Sequence, residues 1–308
     1  MKRSDLRHML FVAAAALLVS CASGRTGGAA QAAAEPQFPP GPALFVTRDA
    51  DSTMYLFGTL HLRRPGTPWG GARAQAGVAE AEEIWTELLI SPESDAQTQQ
   101  LAIQMGMAPA DRPLSSWLTP EQNARLAAVA QGLGIQPRML EPMRPWLAGI
   151  TLSVLPMMRA GYDPNAGADR QIDAFGDANG KRMRAFETAA EQVGLLANFN
   201  EEVQRQMLLE TIEEVERGPE QMEQMATAWE VGDLATLERM VIDDVRTDYP
   251  AFYEVLLANR NDAWVATLKQ ELEGTGVDFV AVGAAHLLGE DGLVAQLRAA
   301  GYSVERVE

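Results

Sequence analysis

Two short segments near opposite ends of the sequence share one pattern, and this repetition constrains the fold more than any other feature. Each is an apolar, β-forming run that ends in Gly-x-x-His, with Gly58 and His61 after the first run and Gly283 and His286 after the second. A glycine-containing loop, an alanine-rich helix and another strand follow each motif. In α/β folds, functional side chains lie at the carboxyl ends of parallel strands. The sequence therefore predicts one mixed sheet built from both ends of the chain.

The residues between the two patterns are mostly helical. Thr119 followed by Pro120 is a helix start, and Gly180 is one of several breaks. We expect a large helical insertion over about residues 92–272, interrupted by a strand at 182–187. The remaining expectations are a hairpin of 43–47 with 53–57, a helix over 72–83, a buried strand over 84–90 and a last strand over 302–307. Glu87 would then lie near the centre of its strand.

The N-terminal segment is typical of export. Three basic residues precede an apolar run over residues 9–20, which suits a signal peptide and is shorter than the about 20 residues that span a bilayer. The sole cysteine, Cys21, follows Leu-Val-Ser, and this order resembles the lipobox of bacterial lipoproteins. An ordinary signal peptide cut near Ala22 is the alternative.

These features predict three regions. Residues 1–20 are the signal peptide, residues 21–42 are the lipidated Cys21 with a flexible Gly/Ala/Pro-rich tether, and residues 43–308 form the folded domain. The protein would be exported and attached by its lipid to a membrane of the bacterial cell envelope, on the periplasmic face.

Composition excludes several classes of function. Lys and Arg number 25 against 42 Asp and Glu, a formal charge of −17, so nucleic acid is a poor partner. A single cysteine excludes an intramolecular disulfide framework and cysteine-rich metal sites. The chain has three histidines, and His8 lies in the predicted signal peptide, which leaves His61 and His286.

Two imidazoles at paired strand ends could share one metal, with a carboxylate as third ligand and an open position for water. Glu87 is the natural carboxylate, because a lone acid in an apolar strand needs a partner. Both histidines could instead be satisfied core residues, and Glu87 could form an ion pair with an arginine.

Several landmarks occur in order along the sequence: residues 55–61, Glu87, 167–169, 186–188 with 191–192, 260–264 and 280–287. This ordered set resembles the TraB/GumN family, whose animal relatives are the Tiki metalloproteases, and most closely its bacterial GumN-like branch. The resemblance extends from about residue 44 to 307 and implies an erythromycin-esterase/ChaN-like α/β fold.

The Tiki branch cleaves peptide bonds with a divalent metal, so the resemblance implies a metal-dependent, peptidase-like hydrolase. His61 and His286 would be metal ligands or proton-transfer groups, and Glu87 a ligand or the base that activates water. The implied metal is zinc, manganese, cobalt or iron. The implied partners are a peptide or small-molecule substrate and, through the lipid, a membrane.

Four further residues are carried over by the resemblance. Arg260 could stabilise an oxyanion, Asn261 could orient a neighbour, Glu187 is a catalytic candidate and Asp169 a supporting one. The alternatives are a polar helix face for the first two and a helix cap for the others. Two other functions stay open: a non-catalytic lipoprotein that binds a metal or small ligand, and an accessory protein of polysaccharide export.

Overall fold

The structure is a computed structural model, and it describes residues 41–218 and 220–308. The predicted signal peptide, Cys21 and the tether up to residue 40 lie outside the described residues. The described residues form two compact units. The sheet unit comprises residues 41–90, Gly161–Phe186 and Glu223–Glu308, and the helical unit comprises Ser91–Ala160 and Glu187–Met222 without residue 219.

The sheet unit contains one mixed sheet of six strands in the order β4-β3-β5-β2-β1-β6. The strands are β1 (Leu44–Arg48), β2 (Ser52–Thr59), β3 (Glu83–Thr86), β4 (Arg182–Ala185), β5 (Gly276–Gly283) and β6 (Val304–Arg306). The first four strands in that order are parallel, while β1 is antiparallel to both of its neighbours. The predicted mixed α/β class is therefore confirmed.

The central pair of strands joins the two ends of the chain. Strand β2 is parallel to β5, with Gly58 opposite Val282 and Thr59 opposite Gly283. The two Gly-x-x-His motifs thus begin side by side at the same edge of the sheet. This confirms the expectation that the repeated pattern builds one sheet. The antiparallel pairing of β1 with β2 separately confirms the predicted hairpin.

The sheet unit also contains helices that alternate with its strands along the chain, and two of these helices carry candidate residues. Short π-helical segments, Arg239–Asp243 and Glu254–Ala258, lie between the later helices. The helices are α1 (Ala72–Glu80), α5 (Ala168–Ala178), α9 (Leu234–Glu238), α10 (Asp244–Asp248), α11 (Pro250–Tyr253), α12 (Asn259–Leu272) and α13 (Leu293–Ala299). Apolar side chains of α12 and α13 pack with those of β1, β2 and β5 in one core.

The helical unit has a core of its own, in which helix α4 packs against α7 and leucines predominate. Thr119 and Gln122 form a capping box at the start of α3, as the Thr-Pro signal predicts. The helices are α2 (Pro92–Gly106), α3 (Pro120–Gly132), α4 (Pro145–Arg159), α6 (Ala189–Ala197) and α7 (Glu201–Arg217), and α8 (Glu220–Glu230) crosses the unit boundary. Among the described residues, no helix combines the length and hydropathy that crossing a bilayer requires.

The strand expected over 84–90 is shorter than the sequence indicates. Strand β3 ends at Thr86, whose hydroxyl donates a hydrogen bond to the carbonyl of Leu88 at 3.0 Å. The placement of Glu87 near the centre of a strand is therefore wrong, because the strand ends at the residue directly before it. The expected strands 182–187 and 302–307 are also trimmed, to β4 and β6.

Glycine at position 58 is required by the close approach of the two motifs. A Cβ atom there would lie 2.9 Å from the Cα of Ala284, and overpacking of this kind costs about 1–3 kcal/mol. We expect Gly58→Ala to lower the free energy of unfolding by that amount in urea titrations. Gly132→Ala is the control, since a Cβ at Gly132 meets no atom within 4 Å. Equal effects of the two substitutions would contradict the close packing.

Candidate functional site

The carboxyl ends of β2, β3 and β5 bring three of the predicted site residues together. His61 lies two residues beyond β2, Glu87 directly follows β3, and His286 lies in a helical turn directly after β5. All three side chains surround the backbone of Gly283. A Cβ atom on this glycine would lie 3.1 Å from Oε1 of Glu87 and 3.7 Å from both Nε2 of His61 and Cδ2 of His286.

Glu87 forms an ion pair with Arg260 of helix α12. Its Oε2 accepts a hydrogen bond from Nη2 of Arg260 at 2.6 Å, and its Oε1 accepts one from the backbone N–H of Gly283 at 2.7 Å. The two side chains are only 14% and 12% exposed. Burial by itself raises the pKa of Glu87, but Arg260, the two histidines and the Gly283 N–H together hold that pKa well below its usual range.

His286 is buried and held by hydrogen bonds on both ring nitrogens. Its Nδ1 lies 2.6 Å from Oδ1 of Asn261, while the amide of Asn261 donates to the carbonyl of Asp291 at 2.8 Å. This arrangement makes Nδ1 the protonated nitrogen, so Nε2 accepts the hydrogen bond from Nη1 of Arg260 at 3.1 Å. Burial, followed by the charge of Arg260, lowers the pKa of His286 to about 3, and the imidazole is neutral.

Trp264 supports both Arg260 and His286. The guanidinium lies 4.6 Å from the centroid of the Trp264 ring, and the imidazole centroid of His286 is 4.4 Å from that ring. Phe186 stacks on the Trp264 ring, with the two ring centroids 4.9 Å apart. No role was predicted for Trp264 from the sequence, although its spacing of four residues from Arg260 places both on one helix face.

Asp169 lies beside His61, with its Oδ2 3.1 Å from Nδ1 of the imidazole. The distance is that of an ion pair, although the two atoms are not aligned as a hydrogen bond. The start of helix α5 is fixed by the backbone N–H of Ala168, which donates to the carbonyl of Leu60 at 2.9 Å. Gly167 is the residue that precedes the helix, so Asp169 is not its N-cap.

The charge of Asp169 governs the protonation of His61. Burial alone lowers the pKa of this imidazole, but the carboxylates of Asp169 and Glu87 outweigh burial and raise the pKa to about 9. His61 is therefore an imidazolium at neutral pH. Its charge and that of Arg260 balance the two carboxylates.

Glu187 belongs to the helical unit. There it directly precedes Thr188, the N-cap of helix α6, which forms a capping box with Glu191. The catalytic role expected for Glu187 stays a prediction. Arg260, Asn261 and Asp169, in contrast, contact His61, His286 or Glu87.

The residues expected to bind a metal do not form a preformed divalent-metal site. Nε2 of His286 and Oε2 of Glu87 each accept a hydrogen bond from the same guanidinium. At an effective dielectric constant of about 20, two unit charges about 4 Å apart repel by about 4 kcal/mol, and a divalent ion doubles this. As arranged, these donors suit an arginine and not a metal. Metal dependence stays a prediction from the sequence.

In the part of the chain that the structure describes, one group of acids does place three candidate ligand atoms within 4.8 Å of one another. It comprises Glu83, Glu271 and Asp278, and Glu83 also pairs with Arg182 and Arg184. Burial, together with the charges of Glu271 and Glu83, raises the pKa of Asp278 to about 6. The proximity of like charges is therefore unfavourable when all three acids are ionised.

The raised pKa of Asp278 predicts how a neutral side chain changes stability. Below the unfolded pKa of 3.8, Asp278 is protonated in both the folded and the unfolded state. As the pH rises from there through the folded pKa of about 6, the free energy of unfolding decreases. We expect Asp278→Asn to raise the free energy of unfolding by about 1 kcal/mol at pH 7.5, after allowance for solvent screening, and to change it little at pH 4. Urea unfolding at both pH values measures this, with exposed Asp51→Asn as control. A destabilised Asn variant at pH 7.5 would contradict the repulsion.

Comparison with known proteins gives one match. The sequence model of the TraB/PrgY/gumN family matches residues 43–306 of the chain. No curated protein and no solved structure matches the chain.

Proposed function

The chain belongs to the TraB/PrgY/gumN family, and we propose that it is a hydrolase acting on a peptide or a similar acyl substrate. The observation that carries this proposal is the pairing of a protonated His61, backed by Asp169, with an ionised Glu87 held by Arg260. Hydrolysis needs a proton donor beside fixed charges, and these four side chains supply both. We also propose, from the family resemblance, that the sheet unit has the erythromycin-esterase/ChaN-like fold.

His61 is the proton-transfer residue in this proposal. Its Nδ1 faces Asp169 at 3.1 Å, and its Nε2 faces the Gly283 backbone near Glu87. An imidazolium with a pKa of about 9 is a proton donor at neutral pH and suits protonation of a leaving group. Asp169 orients the ring and stabilises its charge, as the carboxylate of an Asp–His pair does.

Glu87 acts in this proposal as a fixed anion. A carboxylate with a pKa held far below its usual range is a weak base, so activating water is a poor task for it. It instead fixes Arg260 and faces the imidazolium of His61. Arg260 supplies positive potential for the negative charge that develops on the substrate, while Asn261 fixes the ring of His286.

The test is hydrolysis of a peptide library by the purified full-length chain, with and without a chelator. We expect cleavage that survives the chelator and is lost in His61→Gln. Arg64→Gln is the control, since Arg64 forms an exposed ion pair with Glu223. Cleavage that the chelator abolishes and manganese restores would instead favour the metal-dependent mechanism implied by the resemblance.

A non-catalytic binding protein is the second candidate. Both oxygens of Glu87 and both ring nitrogens of His286 are engaged with other groups of the protein. A site so completely satisfied is stable without a substrate and is suited to a structural or binding role. Absence of cleavage across the library, together with a ligand that raises the melting temperature, would favour this candidate.

We further propose that the chain is an envelope lipoprotein anchored at Cys21. The support is the short apolar run and the solitary cysteine at the position that the lipobox requires. Cys21→Ser should move the protein from the membrane fraction to the soluble fraction, whereas Ser23→Ala should not. An unchanged distribution of the Cys21→Ser protein would contradict the anchor.

A further inference from the structure

The guanidinium of Arg260 is held by contacts on several sides. Its Nη2 donates to Glu87, its Nη1 lies 3.1 Å from both the carbonyl oxygen of Leu256 and Nε2 of His286, and its guanidinium stacks on Trp264. These contacts come from the π-helical segment before α12, from α12 itself, from the residue after β3 and from the turn after β5. The guanidinium is thus fixed by groups on four segments of the sheet unit.

The contacts of Arg260 use the atoms that a divalent metal would need. Because the amide nitrogen of Asn261 donates to the carbonyl of Asp291, its Oδ1 faces Nδ1 of His286 and accepts a hydrogen bond from it. The imidazole proton is therefore on Nδ1, and the lone pair is on Nε2. That lone pair accepts from Arg260, and so does Oε2 of Glu87. The other oxygen of Glu87 accepts from Gly283 and lies 3.8 Å from Nε2 of His286. A metal ion placed between these donors would need the guanidinium to leave.

We propose that Arg260 is the resident cation of this site and excludes divalent metal from the position between Glu87 and His286. The guanidinium neutralises Glu87 and donates one directed hydrogen bond to its carboxylate through Nη2 and another to the imidazole of His286 through Nη1. The site would then become a metal site only when the arginine is replaced. This inference concerns metal binding alone and holds whether or not the chain hydrolyses a substrate.

The test compares manganese binding by the untagged full-length chain and by three variants, after removal of metal with a chelator. Equilibrium dialysis with metal analysis gives stoichiometry, and the melting temperature gives the linked stabilisation. We expect the parent and Arg260→Lys to retain no manganese and to show no shift. We expect Arg260→Met, which keeps the stack on Trp264 but lacks the charge, to bind about one equivalent and to melt higher with manganese than without.

Two further variants assign the bound metal to this site. In the Arg260→Met background, His286→Ala should abolish the acquired binding, while Asp278→Asn in the separate acidic group should leave it intact. One equivalent in the parent that His286→Ala removes would overturn the proposal, and so would a folded Arg260→Met protein without manganese. If Arg260→Met does not fold, the manganese measurement on the parent tests the proposal. Manganese bound by the parent and lost in His286→Ala would contradict a resident arginine, whereas no binding by the parent supports it.

Discussion

Glu87→Gln is expected to lower the free energy of unfolding at pH 7 by about 3 kcal/mol, because it leaves Arg260 buried without its counter-charge. The pKa of Glu87 is lower in the folded state than its ordinary value of 4.5. Its contribution is therefore fully present above about pH 4.5 and is lost as the pH falls toward the folded pKa. The difference between parent and variant should therefore narrow as the pH falls.

Urea unfolding from pH 3 to pH 7 measures this difference. Glu305→Gln is the matched control, since Glu305 is an exposed glutamate on strand β6, and a surface change of this kind alters stability by less than about 0.5 kcal/mol. A Glu87→Gln protein as stable as this control would show that the ion pair contributes little.

The protonation of His61 predicts the second large effect. Its folded pKa of about 9 exceeds the ordinary 6.5, so between these values the folded state holds a proton that the unfolded state releases. Stability from this proton is complete below about pH 6.5 and is lost as pH rises through 9, a decrease on the order of 2–3 kcal/mol. Asp169→Asn should remove most of this decrease, because Asp169 is the main group that raises the pKa.

The measurement is the unfolding free energy of the parent and the Asp169→Asn protein at pH 6, 7.5 and 9. Asp177→Asn serves as control, since Asp177 is an exposed acid two turns later on the same helix, α5. The control should keep the pH slope of the parent. The same slope in Asp169→Asn would mean that Asp169 does not stabilise the imidazolium.

The repeated motif predicted the sheet because its constraints are local and strong. A β-forming run ending at Gly58 and another ending at Gly283 need partners, and parallel pairing of β2 with β5 satisfies both. The position of Glu87 was harder to predict. An apolar run continues to Ile90, and nothing in its composition marks Thr86, whose hydroxyl donates to the carbonyl of Leu88, as the last residue of the strand.

The sequence predicted which side chains lie close together better than it predicted the contacts between them. Proximity of His61, Glu87 and His286 follows from parallel strand ends, and the resemblance supplied Arg260. The sequence left an ion pair with an arginine as the alternative role of Glu87, and the structure combines that ion pair with a place in the site. Which donor faces which acceptor depends on the orientation of helix α12 over the sheet, and no local pattern encodes that orientation.

The charge-linked pair of Glu87 and Arg260 is the central feature of this account, and a double-mutant cycle measures it most directly. The free energies of unfolding of the parent, Glu87→Gln, Arg260→Met and the double variant give the coupling between the two side chains. We predict a coupling of at least about 2 kcal/mol, so the double variant should lose less stability than the sum of the losses in the two single variants. Additivity of the two changes within about 0.5 kcal/mol would contradict the account.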